Sequence, residues 1–223
     1  WDSLAKKLVD ECYKLGFIKF KEKEALKKDY NQKKVITICH HIFNENNEKN
    51  KFFEIMKDSL KGDDKLETSS IYDELFSFHC LNVTTNADKK LHKYYIEQNI
   101  VFNNFTVGIQ DKKLYHIHGM IDNEDSLIFT VEKYIERYND DEFIKFIKNI
   151  FEDYTVLFLG YGLAEFEILD YVISKINEKD RKIKAYNLMG FFSHEENILS
   201  YERAYFKNMG IGVIPFQKDE KGY

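Results

Sequence analysis

The chain has 223 residues, 43% of them hydrophobic and 32% charged, with a formal net charge of −5. It can therefore bury one sizeable core, and its bulk charge gives no nucleic-acid footprint. Three scattered cysteines without a C-x-x-C pair exclude a zinc ribbon or a thioredoxin-like motif and fit reduced thiols in the cytoplasm, and no apolar run approaches the roughly 18 residues that a membrane-spanning helix needs.

In chain order, "WDSLAKKLVDECYKLG" places Leu4, Leu8, Cys12 and Leu15 at helical spacing, with Gly16 as its stop. Segment 17–68 is rich in Lys, Asn and Glu. Helices are expected around 22–30 and 50–60, together forming a helical insertion. Its lysine-dense part, "KFKEKEALKKDYNQKK" (19–34), reads as a solvated helix face, with a phosphate-binding patch as the lesser reading.

From residue 81 the pattern changes to strands alternating with helices. "LNVTT" (81–85), "LYHIHG" (114–119) and "SLIFT" (126–130) read as short strands, followed by helices near 131–138 and 141–152. "YTVLFLGYG" (154–162) is apolar on both faces, as a central parallel strand should be. It runs into the helical stretch "LAEFEILDYVISKI". A strand over 182–192 and a helix follow, the helix with Ile198, Tyr201, Tyr205 and Met209 at spacings of three and four. A last strand covers 211–216. The expected architecture is a Rossmann-like α/β fold, a mainly parallel sheet with helices on both faces, plus the helical N-terminal insertion.

In an open parallel sheet, ligands bind beyond the carboxyl ends of the strands. Three polar or glycine-rich clusters fall at such ends: "TTNAD" (84–88), "HG" (118–119) and "GYG" (160–162). Together they define a candidate pocket. A strand, then Gly160 and Gly162, then a helix would bring backbone N–H groups to phosphate or ribose oxygens. Glu165 in the first turn would complement the helix dipole or accept from ribose hydroxyls. Asn86 can hold a water or a sugar hydroxyl, and Asp88 can fix its loop. His116 and His118 admit three readings on spacing alone. They are two metal ligands lacking a specified third, two core histidines, or one general base at a strand end beside a glycine that lets a substrate approach.

"VTTNAD", "HIHGMIDNEDSLIFTVEKY" and "VLFLGYGLAEFEILDYV" resemble, in order, three landmark segments of sirtuin-like domains. They resemble the bacterial branch associated with antiphage defence more than the protein deacetylases. The resemblance is good over about 80–175, loose beyond it, and poor over 17–67. It implies NAD+ as substrate and no metal. It implies that Asn86 orients a water near the nicotinamide ribose, that His118 acts as base toward a ribose hydroxyl, and that Asp88 lies in the nicotinamide pocket, with Thr85 among the NAD+-binding candidates. Gly160, Tyr161 and Gly162 would hold the adenosine half, Glu165 stays a candidate for ribose hydroxyls, and His116 would stand behind the reacting groups. The chain opens on Trp1, and "WDSL" resembles the segment that follows the family's first strand and Gly-Ala-Gly-x-Ser loop. The expectation is one sirtuin-like domain over 1–223 without those two elements. Thr85 stands where deacetylases carry glutamine, and the four-cysteine zinc module is missing. The resemblance thus implies an NAD+ glycohydrolase that depletes NAD+ in antiphage defence, cytoplasmic, and either homo-oligomeric or controlled by a regulatory partner. Nucleic acid is not an expected partner. The alternatives are a catalytically silent module that senses NAD or ADP-ribose and, behind it, a lysine deacylase.

Overall fold

The computed structural model describes residues 1–60, 69–106, 108–110, 112–161 and 185–219. The chain divides into two compact units, Trp1–Asp140 and Asp141–Tyr223. Its described strands pair in parallel and the sheets are flanked by helices, which makes it an α/β protein of Rossmann-like character with a helical N-terminal region.

The first unit begins with α1 (Asp2–Lys14), α2 (Phe20–Lys27), α3 (Gln32–Glu45), α4 (Lys49–Leu60) and α5 (Ser69–Ser77). In α1, Leu4, Ala5, Leu8, Val9 and Cys12 form one buried stripe at helical period. Asn31 caps α3, its side-chain oxygen accepting from the Lys34 N–H at 3.0 Å. This helix lies where no separate element is legible from periodicity, because "VITI" is β-branched; burial of Val35, Ile36, Cys39 and Phe43 overrides that preference. Fully buried Leu8, Phe43 and Phe52 each contribute on the order of 1.5–3 kcal/mol through apolar area removed from water. The same core takes in Ala87, Ile121, Leu127 and Phe129 from the strand-bearing half of the unit, so the helices pack directly beneath the loops at the strand ends.

Three short strands follow, β1 (Asn82–Thr84), β2 (Ile100–Val101) and β3 (Leu114–His116), in the order β1-β3-β2. The central strand β3 is buried throughout. Thr84 pairs with His116, so β1 and β3 end level with each other. The strand expected over 126–130 is not one. Glu124–Ser126 forms a 3₁₀ turn, capped by the Asn123 side chain, and 127–129 runs on as a loop. Leu127, Ile128 and Phe129 are buried there between other elements, a case in which a short apolar run carries no information on strand against loop. Thr130 then caps α6 (Val131–Tyr138).

The second unit comprises α7 (Asp141–Asp153), β4 (Val156–Phe158), β5 (Ala185–Phe191), α8 (Glu196–Asn208) and β6 (Ile211–Gln217). Its described strands lie in the order β4-β5-β6. β5 is therefore the middle strand. β4, expected to be central, pairs with β5 alone among the described strands, and Leu157 on it is 48% exposed. The buried side of α8 also differs from expectation: Leu199 and Phe206 face inward, while Ile198, Tyr201 and Tyr205 are exposed. Tyrosine satisfies a helical apolar pattern without being committed to the interior, since its hydroxyl is at ease in water. Among the described residues, no helix is long and apolar enough to cross a membrane.

Candidate active site

The level ends of β1 and β3 release two loops side by side. In the first, the Thr84 hydroxyl accepts the Asn86 N–H at 3.0 Å, and Asp88 Oδ1 accepts the Lys90 N–H at 2.9 Å. These side-chain-to-backbone bonds replace the ladder as it ends. Ala87 is buried between them, its carbonyl accepting the Ile121 N–H at 3.0 Å. With Ala87 turned inward, the Asn86 side chain is exposed, and Thr85 and Asp88 are half-buried.

The second loop begins where β3 stops at His116, short of His118. The Gly119 N–H donates to the His116 carbonyl at 3.2 Å, and Gly119 takes φ +78°. This turn ends the two-residue alternation, so the two imidazoles find different partners instead of sharing one face. Gly119 is needed by the fold. A Cβ there would lie 2.0 Å from the Ser126 carbonyl oxygen, so its bare side meets backbone and does not open toward a substrate.

His116 is 1% exposed and turns toward the first loop. Its Nδ1 lies 2.8 Å from the Asn86 carbonyl oxygen, and its Nε2 lies 3.0 Å from Nε2 of His92, which begins a 3₁₀ turn at His92–Tyr94. A carbonyl only accepts, so Nδ1 of His116 carries the hydrogen and Nε2 takes the one that His92 donates. Burial pushes the His116 pKa down to about 4, and burial lowers that of His92 as well. His116 is therefore neutral in the fold at neutral pH and ordinary in the unfolded chain, near 6.5. The unfolded state binds the extra proton between those two values. Stability contributed by neutral His116 is complete above about pH 6.5, is lost as pH falls toward about 4, and amounts to no more than roughly 3 kcal/mol. Denaturant unfolding between pH 7 and pH 4.5 should show a steeper loss of stability in the native protein than in His116→Asn; equal slopes would place the titration elsewhere.

His118 is 3% exposed and turns toward α6. Its Nε2 lies 3.1 Å from the Tyr138 hydroxyl, and its ring sits edge-on against Tyr134 at 5.2 Å between centroids. Tyr134 and Tyr138, one helical turn apart, stack parallel, and Lys33 Nζ lies 3.8 Å from the centroid of the Tyr134 ring. The His118 carbonyl accepts the Ile128 N–H at 3.0 Å. The ring is thus enclosed by two tyrosines. Spacing did not single out these tyrosines or His92. Their only sequence signals are the i, i+4 pair on α6 and a histidine four residues after Asp88.

Thr85, Asn86, Asp88, His116 and His118 accordingly gather at two neighbouring strand ends in the first unit. Gly160 and Tyr161 follow β4 in the second unit. Gly160 takes φ +61° with open space where a Cβ would stand, and Tyr161 stacks on Phe158 at 5.7 Å. Gly162 and Glu165 lie outside the described residues. Among the described residues, no group of three histidine, cysteine, aspartate or glutamate side chains could hold a metal ion.

The family model described as a SIR2-like domain matches residues 81–214, from just before β1 into β6. That is more than half of the chain, and the protein belongs to the SIR2-like domain family, whose chemistry uses NAD+. No match to a curated protein sequence was found.

Proposed function

We propose that the protein is an NAD+ glycohydrolase that depletes NAD+ in antiphage defence, acting in the cytoplasm as a homo-oligomer or under a regulatory partner. The observation that carries this reading is Asn86. It is an exposed amide on a loop pinned at both of its backbone groups, level with the end of the histidine-bearing strand, inside the segment that matches the family. An amide so held can orient a water molecule. In the reaction, the water oxygen bonds to the anomeric carbon of the nicotinamide ribose. The C–N bond breaks, its electron pair returns to the pyridinium ring, and nicotinamide leaves neutral; ADP-ribose and one proton are the other products. Asn86 places the water. His118 takes a ribose hydroxyl proton, a contribution of roughly 10²–10⁴-fold. Thr85 and Asp88 serve the nicotinamide side, and Gly160, Tyr161, Gly162 and Glu165 the adenosine half. No resident metal enters this scheme.

Because Tyr138 closes over Nε2 of His118, the base meets a ribose hydroxyl only once that ring moves aside. Tyr138→Phe removes one hydrogen bond holding the closed arrangement, worth about 1 kcal/mol. It is expected to preserve turnover or raise it by up to roughly fivefold, measured as nicotinamide release. A loss of turnover would instead put the tyrosine hydroxyl on the proton's path.

The enclosure of His118 favours a second reading, a silent module that senses NAD or ADP-ribose. Incubating the protein with NAD+ separates the two: calorimetric binding without nicotinamide release supports the sensor, and turnover supports the hydrolase. An acylated lysine peptide added to the same assay tests deacylation.

A further inference from the structure

We infer that His92 and His116 are a positioning pair that sets the placement of Asn86, an inference that rests on the hydrolase reading. The Asn86 side chain is exposed, and the hydrogen bonds that hold the residue are made by its backbone. Where the amide points therefore depends on what grips that backbone. Thr84 takes the N–H from within the same strand end. The carbonyl is held from across the sheet by His116 on β3.

His116 can hold it only in one tautomer. With its hydrogen on Nδ1, the buried Nε2 is a bare acceptor, and leaving such a group without a partner costs roughly 1–3 kcal/mol. His92 supplies the partner. The two rings stand at 80°, with centroids 5.0 Å apart, an edge-on arrangement that aims an N–H of one ring at the in-plane lone pair of the other. The His92 backbone is itself tied down, its N–H donating to the Lys89 carbonyl at 2.9 Å. One side chain from β3 thus clamps the loop at two points, at residue 86 through a carbonyl and at residue 92 through a ring. The segment between them carries Asp88, whose carboxylate folds onto the Lys90 N–H, and Lys89, which pairs with Asp122.

The charges that face the pair are those same three, Asp88 and Lys89 on the loop and Asp122 on the turn after β3. The clamp tolerates a proton on Nδ1 of His92, which leaves its Nε2–H donor in place. It does not tolerate one on Nε2 of His116, where two N–H groups would then face each other. The donor on His92 is what the arrangement requires. A glutamine amide offers an N–H donor at a similar reach without a titrating ring.

The test compares His92→Phe with His92→Gln by steady-state nicotinamide release, with circular dichroism and thermal unfolding to confirm the fold. His92→Phe is expected to lower kcat by about tenfold or more with a smaller rise in KM, because the water-holding amide is displaced while Asp88 keeps its own bond from the Lys90 N–H. His92→Gln, which retains an N–H donor, should return kcat to within roughly threefold of the native value. A folded His92→Phe protein with native kcat, or a glutamine variant as impaired as the phenylalanine one, overturns the inference. If the native protein releases no nicotinamide, the hydrolase reading fails. The pair is then judged alone by long-range ¹H–¹⁵N spectra of the imidazoles. They should show His116 protonated on Nδ1 and bare on Nε2, and the opposite tautomer overturns the pair.

Discussion

Asn86→Ala should reduce NAD+ hydrolysis by at least about 10²-fold while leaving the fold intact, and His118→Ala by roughly 10²–10⁴-fold. The two substitutions differ in what else they touch. Asn86 is exposed, and alanine retains both of the backbone bonds that fix the loop, from its N–H to Thr84 and from His116 to its carbonyl. Its effect reads on water placement with little structural contribution. His118 is buried against Tyr134 and Tyr138, so its truncation leaves a void beneath α6 and costs stability as well as a base. Thermal unfolding must therefore accompany the His118 assay, and His118→Gln provides a better-filled variant without an imidazole. Native rates of nicotinamide release from Asn86→Ala would remove that residue from the chemistry. With the native protein turning over, native rates in both His118 variants would return His118 to the role its burial alone describes, a packed core histidine.

How far the sequence discloses this depends on where each signal resides. α1 and α7 are legible because their apolar residues repeat at the helical period and are buried as that period demands; Phe143, Phe146, Ile147 and Ile150 on α7 are the clearest case. The strands leading into Asn86 and His118 are legible because a short apolar run meets a polar or glycine-bearing turn, although β3 stops at His116, before the expected His118–Gly119 end. β2 spans two residues, Ile100 and Val101, too few to carry a period. The loop 127–129 looks like a strand because burial, not pairing, selected its apolar residues. On α8 the tyrosines give a regular pattern on the exposed side. The His92–His116 contact joins residues 24 positions apart through one nitrogen each, and no spacing rule encodes it. Elements follow from local repetition, which a single sequence displays. A site is a set of meetings between distant residues, so only its strand-end members show in a single sequence.

Gly119→Ala should be the most disruptive glycine-to-alanine change among the described residues of the first unit, because it brings together two costs that are usually met apart. The left-handed conformation at φ +78° penalises any Cβ by about 1–2 kcal/mol. The new methyl would also stand 2.0 Å from the Ser126 oxygen, 2.4 Å from its carbonyl carbon and 2.8 Å from the Leu127 nitrogen, all backbone atoms. Ser126 cannot withdraw freely. Its N–H donates to the Asn123 side chain at 3.1 Å, its hydroxyl donates to the Asn123 carbonyl at 2.7 Å, and that hydroxyl accepts the Met120 N–H at 3.1 Å. Relief of the overlap, typically about 1–3 kcal/mol of overpacking, must break part of that set or move the turn that carries His118. The total is roughly 3 kcal/mol, which for a chain of this size corresponds to a fall of about 6–12 °C in Tm. Gly160→Ala isolates the conformational part. It has a similar φ of +61° but nothing within 4 Å of the added carbon, so it should show the conformational cost alone. Equal falls in Tm for the two variants, followed by circular dichroism, would mean that the Ser126 turn yields without resistance. A larger fall at Gly119, accompanied by lost nicotinamide release, is the expected result, because the residue that closes the turn also fixes the carbonyl and ring of His118.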